Sequence, residues 1–133
     1  MAQKYIVGDW VKFLFEESKV IEVYEDGSYY MDSPNITGCP KEEELSPIPL
    51  TPEILEKNGW KFLKHHERDN YDDVSWSSYH KPAETNISLI LYQEEEVFFP
   101  FLYAQKISEK PIRYIHQLQH LLFGLGLNSE MEV

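Results

Sequence analysis

Residues 111–126 read PIRYIHQLQHLLFGLG, and this is the one long segment of the chain with an unambiguous pattern. At about 100° per residue its large apolar side chains fall on one side of a helix. They are Tyr114, Ile115, Leu118, Leu121, Leu122 and Leu125. Pro111 suits a first turn, and the glycines near Gly126 suit a helix end. The pattern therefore predicts an amphipathic helix over 111–126 whose apolar stripe is buried.

The opposite edge of this predicted helix is polar and carries Arg113, His116, Gln117 and His120. His116 and His120 stand at i and i+4, a spacing at which two imidazoles can share a metal ion. Gln117 occupies the place of the acid in the HExxH zinc motif, so we assign no metal. Two interpretations remain, a protein-binding edge or hydrogen bonds to the chain's own carboxylates, and the second is favoured.

Residues 1–33 favour short strands joined by tight turns. A strand is suggested after a turn at Gly8-Asp9 by Val7, Trp10, Val11, Phe13 and Phe15, and residues 20–25 suit a second strand. Asp26-Gly27 is a strong hairpin signal. This rhythm predicts a small SH3-like β-barrel. Such barrels bind peptides through aromatic grooves, so the candidate binding residues here are Trp10, Tyr24, Tyr29 and Tyr30, unless their rings fill the core.

The rest of the chain predicts an α+β fold in a single compact domain, 1–133. Four prolines and an acidic run mark residues 34–50 as a loop. Thr51 as N-cap and Pro52 after it start a short helix over 51–58, which Gly59 ends. Residues 59–106 then predict an antiparallel sheet, with strands near 74–80, 86–92 and 97–103. We expect the terminal helix to pack on this sheet.

Composition limits the classes of function. The 133 residues carry 12 basic and 23 acidic groups, a net charge of −11, which disfavours ordinary DNA or RNA binding. The acidity fits simple solubility, a basic protein partner, or mimicry of nucleic acid. No apolar run approaches the ~20 residues of a membrane-spanning helix, and the N-terminus does not resemble a signal peptide. We therefore predict a cytoplasmic protein with no membrane contact.

Several chemistries lose support from the sequence. Cys39 is the only cysteine, so an intramolecular disulfide and a cysteine-based zinc site are excluded. The chain has no GxSxG, P-loop, GxGxxG or HRD motif, and no cofactor is predicted. One acid–base alternative is the cluster His65, His66, Glu67, Arg68 and Asp69, although a polar run between strands is usually a solvated loop.

Three phrases together carry a resemblance to a known family. They are IVGDWVKF at residues 6–13, PIPLTPEILEKNGW at 47–60 and IRYIHQLQHLLFGLG at 112–126. The chain resembles a family of small uncharacterised proteins from gut Bacteroides and their phages or mobile elements. That family's phrases run P-I-P-L-T-x-E-x-L-x-x-x-G-F and Y-V-H-Q-L-Q-N-L-Y-F-A-L-T-G. The resemblance implies a genomic setting and no activity. The family has Asn at the place of His120, which further weakens a metal site.

Three functions follow as hypotheses from the sequence. The first is a non-enzymatic protein-interaction module that uses the barrel aromatics or the helix edge. The second is an acidic inhibitor or nucleic-acid mimic that acts on a basic host protein. The third is an enzyme of uncommon type that uses His65, His80 or His116 together with a carboxylate.

Overall fold

The structure is a computed structural model that describes residues 4–66, 75–81, 89–103 and 105–133. It is an α+β fold with two antiparallel sheets and a C-terminal helix, as predicted at this level. The chain divides into two compact units. The first combines residues 1–49 with 114–131, and the second consists mainly of residues 50–113.

The elements fall in chain order as follows. The strands are Trp10–Phe13 (β1), Glu16–Val23 (β2), Tyr29–Met31 (β3), Leu45–Pro47 (β4), Lys61–His66 (β5), Trp76–His80 (β6), Leu89–Glu94 (β7), Val97–Leu102 (β8) and Gln105–Lys106 (β9). The α-helices are Pro52–Lys57 (α1) and Ile115–Gly124 (α2).

The first unit contains a four-stranded sheet in the order β3-β2-β1-β4. The first half of β2 pairs with β1, and its second half pairs with β3 with a register shift between Val20 and Glu22. Such a shift bends a strand and increases its twist. The residues that face inward form one buried apolar cluster, composed of Tyr5, Val11, Val20, Tyr29, Met31 and Leu45.

The predicted closure of the N-terminal strands into a barrel is not confirmed. Among the described residues, β3 and β4 are the two edges of an open sheet. The edge strand β4 comes from the stretch 34–50 that we expected to be a loop, because its prolines argue against a strand. Pro47 is tolerated there, opposite Val11, because an edge strand can leave one side without ladder hydrogen bonds.

The second unit holds α1 and a five-stranded antiparallel sheet in the order β5-β6-β7-β8-β9. The predicted start of α1 is confirmed, because the Ile54 N–H donates to Thr51 Oγ1 at 3.3 Å. Gly59 follows the helix with a φ of 89°, a left-handed conformation that costs glycine little. The predictions for residues 67–74 and 86–88 lie outside the described residues.

Pro100 lies inside the sheet rather than at the edge or bulge that its residue type favours. Its strand, β8, pairs with β7 on one side and with β9 on the other. The short strand β9 pairs only with Phe101 and Leu102. The carbonyl of Pro100 still accepts a bond from Ile107 N at 3.1 Å. Because the neighbouring strand β9 has only two residues and does not pair with Pro100, a proline is compatible with this inner strand.

Helix α2 belongs to the first unit, where it contacts β1, and this corrects the prediction that it packs on the sheet of residues 59–106. It begins at Ile115 rather than at Pro111, because Ile112 is paired as a strand residue with Phe98. Tyr114 is the N-cap, and its N–H donates to Gln117 Oε1 at 3.1 Å. Of the predicted stripe, Ile115, Leu118 and Leu122 are buried in this helix.

In the parts of the chain that the structure describes, no helix has the length and apolar character needed to cross a bilayer.

The buried stripe predicts unequal effects of truncation along one helix. Leu118→Ala and Leu122→Ala should each lower the free energy of unfolding by about 2–5 kcal/mol, since each leaves a cavity in a packed core. Phe123→Ala is the matched control, because Phe123 is 68% exposed on the same helix, and it should change stability by less than about 0.5 kcal/mol. Urea denaturation measures all three. Equal effects at Leu122 and Phe123 would contradict the observed packing.

Candidate functional site

His116, expected on a polar edge, is buried with only 5% of its surface exposed. The ring of Tyr5 meets it edge-on with centroids 5.0 Å apart, and the ring of Tyr114 stacks on it at 6.0 Å. Its Nδ1 has no hydrogen-bond partner within the described part of the chain. The imidazole of His116 therefore packs between aromatic rings, as a phenylalanine side chain would.

Burial lowers the pKa of His116 from its ordinary value of 6.5 to about 4. The Asp9 carboxylate acts in the opposite direction and raises this pKa, whereas His120 and Lys4 lower it further. Desolvation is the largest cause, because a low-dielectric environment disfavours the charged imidazolium. His116 is therefore neutral at pH 7 and adds no positive charge to the helix.

His120, on the same helix, is bonded to a buried carboxylate. Its Nε2 lies 2.7 Å from Oδ2 of Asp9, which is 1% exposed. The same Oδ2 accepts a hydrogen bond from the Ile6 N–H at 2.9 Å. For His120 alone, this contact confirms the prediction that the helix edge bonds to the chain's own carboxylates. It attaches α2 to the Gly8-Asp9 turn, which precedes β1.

Gln119 is a further buried polar residue of α2, and the sequence interpretation missed it. Its Oε1 accepts a hydrogen bond from Trp10 N at 3.0 Å. Its Nε2 donates to the carbonyl of Gly8 at 2.8 Å and to that of Ser129 at 3.1 Å. At about 100° per residue, Gln119 lies next to Ile115 at the border of the apolar stripe. That border position was the only signal for its burial.

The remaining two edge residues have other roles or positions. Gln117 is half-buried and caps the helix through the N–H of Tyr114. Arg113 is exposed and precedes the first helical residue, Ile115. The four predicted edge residues therefore do not form one exposed binding surface.

The histidines have different side-chain partners in the described residues. Asp9 and His120 are hydrogen-bonded, but Asp9 is also engaged by the backbone of its own turn. His65 is exposed in the second unit, where its Nδ1 contacts Ser77 Oγ at 2.8 Å. No group of three or more metal-ligating side chains is found among the residues described. Glu67, Arg68 and Asp69 lie outside the described residues.

The four predicted aromatic binding residues are not all brought together. Tyr29 is in the core, and its hydroxyl donates to Glu42 Oε1 at 3.1 Å. Trp10 is half-buried, with Nε1 bonded to the Met131 carbonyl and the Lys19 ammonium 5.6 Å from its ring centroid. Tyr24 and Tyr30 are exposed near the turn that connects β2 to β3.

The most exposed apolar residues of the first unit are at the opposite end of β2. Leu14 and Phe15, here called the hairpin tip, form the two-residue loop between β1 and β2. Leu14 is 74% exposed and Phe15 is 95% exposed. Leu14 also has a φ of 55°, which is uncommon for any residue other than glycine. The sequence interpretation placed Phe15 within a strand, because FLF reads as a strand continuation.

Comparison with known proteins adds no relative: no family model, no curated protein and no solved structure matches this chain.

The low pKa of His116 predicts a dependence of stability on pH. The unfolded chain takes up a proton on this histidine near pH 6.5, and the folded chain does so only near pH 4. The contribution of His116 to stability is therefore complete above about pH 6.5 and is lost as the pH drops toward about 4, by roughly 3 kcal/mol at most. Denaturant titrations at several pH values should show a smaller loss in His116→Leu than in wild type. Identical slopes in the two proteins would show that His116 is not the cause.

The hydrogen bonds of Gln119 predict a second effect on stability. Gln119→Leu keeps the side-chain volume but leaves Trp10 N–H and two carbonyls without their partner. We expect a loss of about 1–3 kcal/mol for the buried groups left unpaired. Gln105→Leu, at an exposed position of β9, is the control and should be near neutral. If thermal unfolding showed the same small effect for both changes, the hydrogen bonds of Gln119 would not stabilise the fold as we expect.

Proposed function

We propose that this chain is a non-enzymatic protein-interaction module whose hairpin tip inserts into an apolar pocket of a partner protein. The observation that carries the proposal is the exposure of Phe15, 95% of whose surface is open to solvent. An aromatic side chain buries a large apolar area when it enters a pocket, and such residues often dominate binding energy. A neighbouring exposed leucine enlarges the same apolar end.

The conformation of the tip supports a binding role. Two-residue hairpin loops usually place Gly, Asn or Asp where φ is positive. Here Leu14 takes a φ of 55°, at a cost on the order of 1–2 kcal/mol for a residue with a Cβ. The positive φ serves the turn, since Glu95 has the same φ of 55° in the two-residue loop between β7 and β8. An apolar side chain exposed at this position brings no packing benefit to the chain itself. The benefit that we propose is contact with a partner.

Charge supports a basic partner. Glu16 and Glu17 directly follow the tip, and the chain carries a net charge of −11. Glu17 is exposed, whereas Glu16 accepts a bond from Ser33 Oγ at 2.9 Å. An apolar tip with an acidic surround complements an apolar pocket rimmed by Lys or Arg. The same acidity opposes approach to an anionic membrane surface.

The family resemblance and the SH3-like character belong to this proposal. The three phrases near residues 6–13, 47–60 and 112–126 support membership of the Bacteroides and phage family, and a partner in a bacterial cytoplasm. The bent strand β2, which pairs with β1 and then with β3, supports a distant relation to small SH3-like barrels. In this proposal the binding element is a hairpin end rather than an aromatic groove.

The mimicry hypothesis finds less support than the module. Within the acidic run 42–44, Glu42 accepts hydrogen bonds from Lys4 N at 2.9 Å and from the Tyr29 hydroxyl. Glu44 accepts a bond from Lys41 N at 3.1 Å. Carboxylates that serve internal hydrogen bonds build a turn, whereas a mimic of a phosphate backbone needs an ordered array of free charge.

The test compares tip variants in affinity capture from a bacterial host, followed by binding assays between purified proteins. Phe15→Ser should weaken binding to a captured basic protein by about 30-fold or more. Leu14→Gly should also weaken binding while leaving stability unchanged or raising it by about 1 kcal/mol, because glycine adopts a positive φ freely. Loss of binding in a variant that is not less stable cannot come from unfolding.

The matched control is Phe123→Ser, which removes another exposed aromatic side chain of the first unit. It should leave binding unchanged. The proposal fails if wild type captures nothing that Phe15→Ser does not capture. It also fails if the affinity of the purified pair is insensitive to salt, because then the acidic surround contributes nothing.

A further inference from the structure

The second unit contains a cavity of about 290 Å³ on one face of its sheet. This is near the lower limit of the roughly 300–1,000 Å³ typical of ligand pockets, so it suits a small group. Four of its lining residues are aromatic and two are charged: Trp76, Tyr92, Phe99, Phe101, Glu94 and Lys106. The sequence interpretation had not singled out any of the four aromatic residues.

Strand register explains why these side chains meet. Tyr92 pairs with Phe99, and Phe101 pairs with Lys106, and residues directly opposite each other share a face. Trp76 is two residues before Ser78, the partner of Tyr92 on β6, and therefore projects to this same face. The alternate residues Phe98 and Pro100 are buried on the other face.

The rings are arranged as a connected aromatic surface. Tyr92 meets Trp76 at a centroid distance of 5.3 Å and an interplanar angle of 69°. It meets Phe101 at 4.7 Å and 66°. These edge-to-face contacts fix the rings at steep angles to one another, so that faces as well as edges border the cavity. Ring faces carry the negative part of the aromatic quadrupole and attract cations.

A cation of the chain itself already uses this property. The Lys106 ammonium lies 4.4 Å from the centroid of Phe99, well within the ~6 Å of a cation–π contact. Its Nζ is also 3.8 Å from Oε2 of Glu109. Lys106 can therefore leave the ring of Phe99 without losing a nearby negative charge.

We propose that this cavity binds an alkylated ammonium group, such as a trimethylammonium. Such a cation cannot donate hydrogen bonds when it is quaternary, and it is stabilised best by several ring faces and one carboxylate. The four aromatic side chains supply the faces, and Glu94 supplies the charge. A primary ammonium or a guanidinium would demand hydrogen-bond acceptors in a fixed geometry. Lys106 holds the place of the cation until a ligand displaces it. This site is independent of the hairpin tip.

The direct test is a titration of the full chain with choline, followed by amide chemical shifts and the melting temperature. The matched probe is 3,3-dimethyl-1-butanol, which has the shape of choline with carbon in place of the charged nitrogen. We expect choline to bind and to shift the amides of β7 and β8, with the neutral analogue at least about tenfold weaker. Equal binding of the two probes would overturn the proposal, and so would no binding of choline.

Three variants make the test specific. Phe99→Leu keeps an apolar side chain but removes a ring face and should weaken choline binding by about 3- to 30-fold. Glu94→Gln removes the charge and should also weaken it. Lys106→Ala removes the competing ammonium and should strengthen binding, an effect opposite to that expected if Lys106 were merely part of the wall. Weaker binding in Lys106→Ala would overturn the displacement mechanism. Phe62→Leu, exposed on β5, is the control and should bind as wild type does.

The ammonium could come from a free metabolite or from a methylated lysine of a protein. A peptide with trimethyllysine and its unmethylated counterpart distinguish these sources. Tighter binding of the methylated peptide than of choline assigns the site to a protein ligand, and the reverse order assigns it to a small molecule. Equal affinity for the methylated and unmethylated peptides, with no effect of Phe99→Leu, would refute recognition of the alkylated cation.

Discussion

The first unit depends on the polar attachment of α2 to the turn that precedes β1. Gln119 bonds to the backbone of Gly8 and Trp10, and His120 reaches the buried carboxylate of Asp9. These contacts join residues more than a hundred positions apart in the chain. Burial of the Gln119 and Asp9 side chains is costly unless their hydrogen bonds are satisfied, so the attachment is specific in position as well as stabilising. Leu118 and Leu122 contribute buried apolar area to the stability of this unit. However, a helix could bury leucine side chains against a sheet in many registers. Only one register satisfies Gln119.

This constraint changes the meaning of the helix histidines. A pair of imidazoles at i and i+4 would indicate a metal site or a basic edge if both were exposed. His116 is instead neutral and enclosed by Tyr5 and Tyr114, and His120 is hydrogen-bonded to the Asp9 carboxylate. Neither residue is left to recruit a ligand. Function is therefore better sought where the structure exposes apolar surface without an internal reason, as it does at Leu14 and Phe15.

How much could be predicted depends on whether the signal was local. The cap at Thr51, the stop at Gly59 and the hairpin at Asp26-Gly27 follow from the preferences of single residues, and all three appear in the structure. The burial of Leu118 follows from helical periodicity. The sheet on which α2 packs could not be deduced, because periodicity gives a face and not its partner. Strand β4 was missed because its pairing with β1 offsets the weak strand preference of a proline-rich segment. Gln119 was missed because burial of an amide depends on distant backbone atoms.

The aromatic cavity is the clearest case of a feature that sequence alone could not predict. Each of Trp76, Tyr92, Phe99 and Phe101 has, in sequence, the ordinary explanation of a strand residue in a half-buried sheet. Their common property arises only from the register that places β6, β7 and β8 side by side. The position of Lys106 over Phe99 adds the one observation that separates a cation-binding surface from a plain apolar patch. An apolar patch that binds an apolar partner would gain no binding energy from an ammonium group at one of its ring faces. The large excess of acidic groups in this chain raises the concentration of cations near its surface. The proposed site would then need only to select alkylated ammonium ions from the cations that this surface attracts.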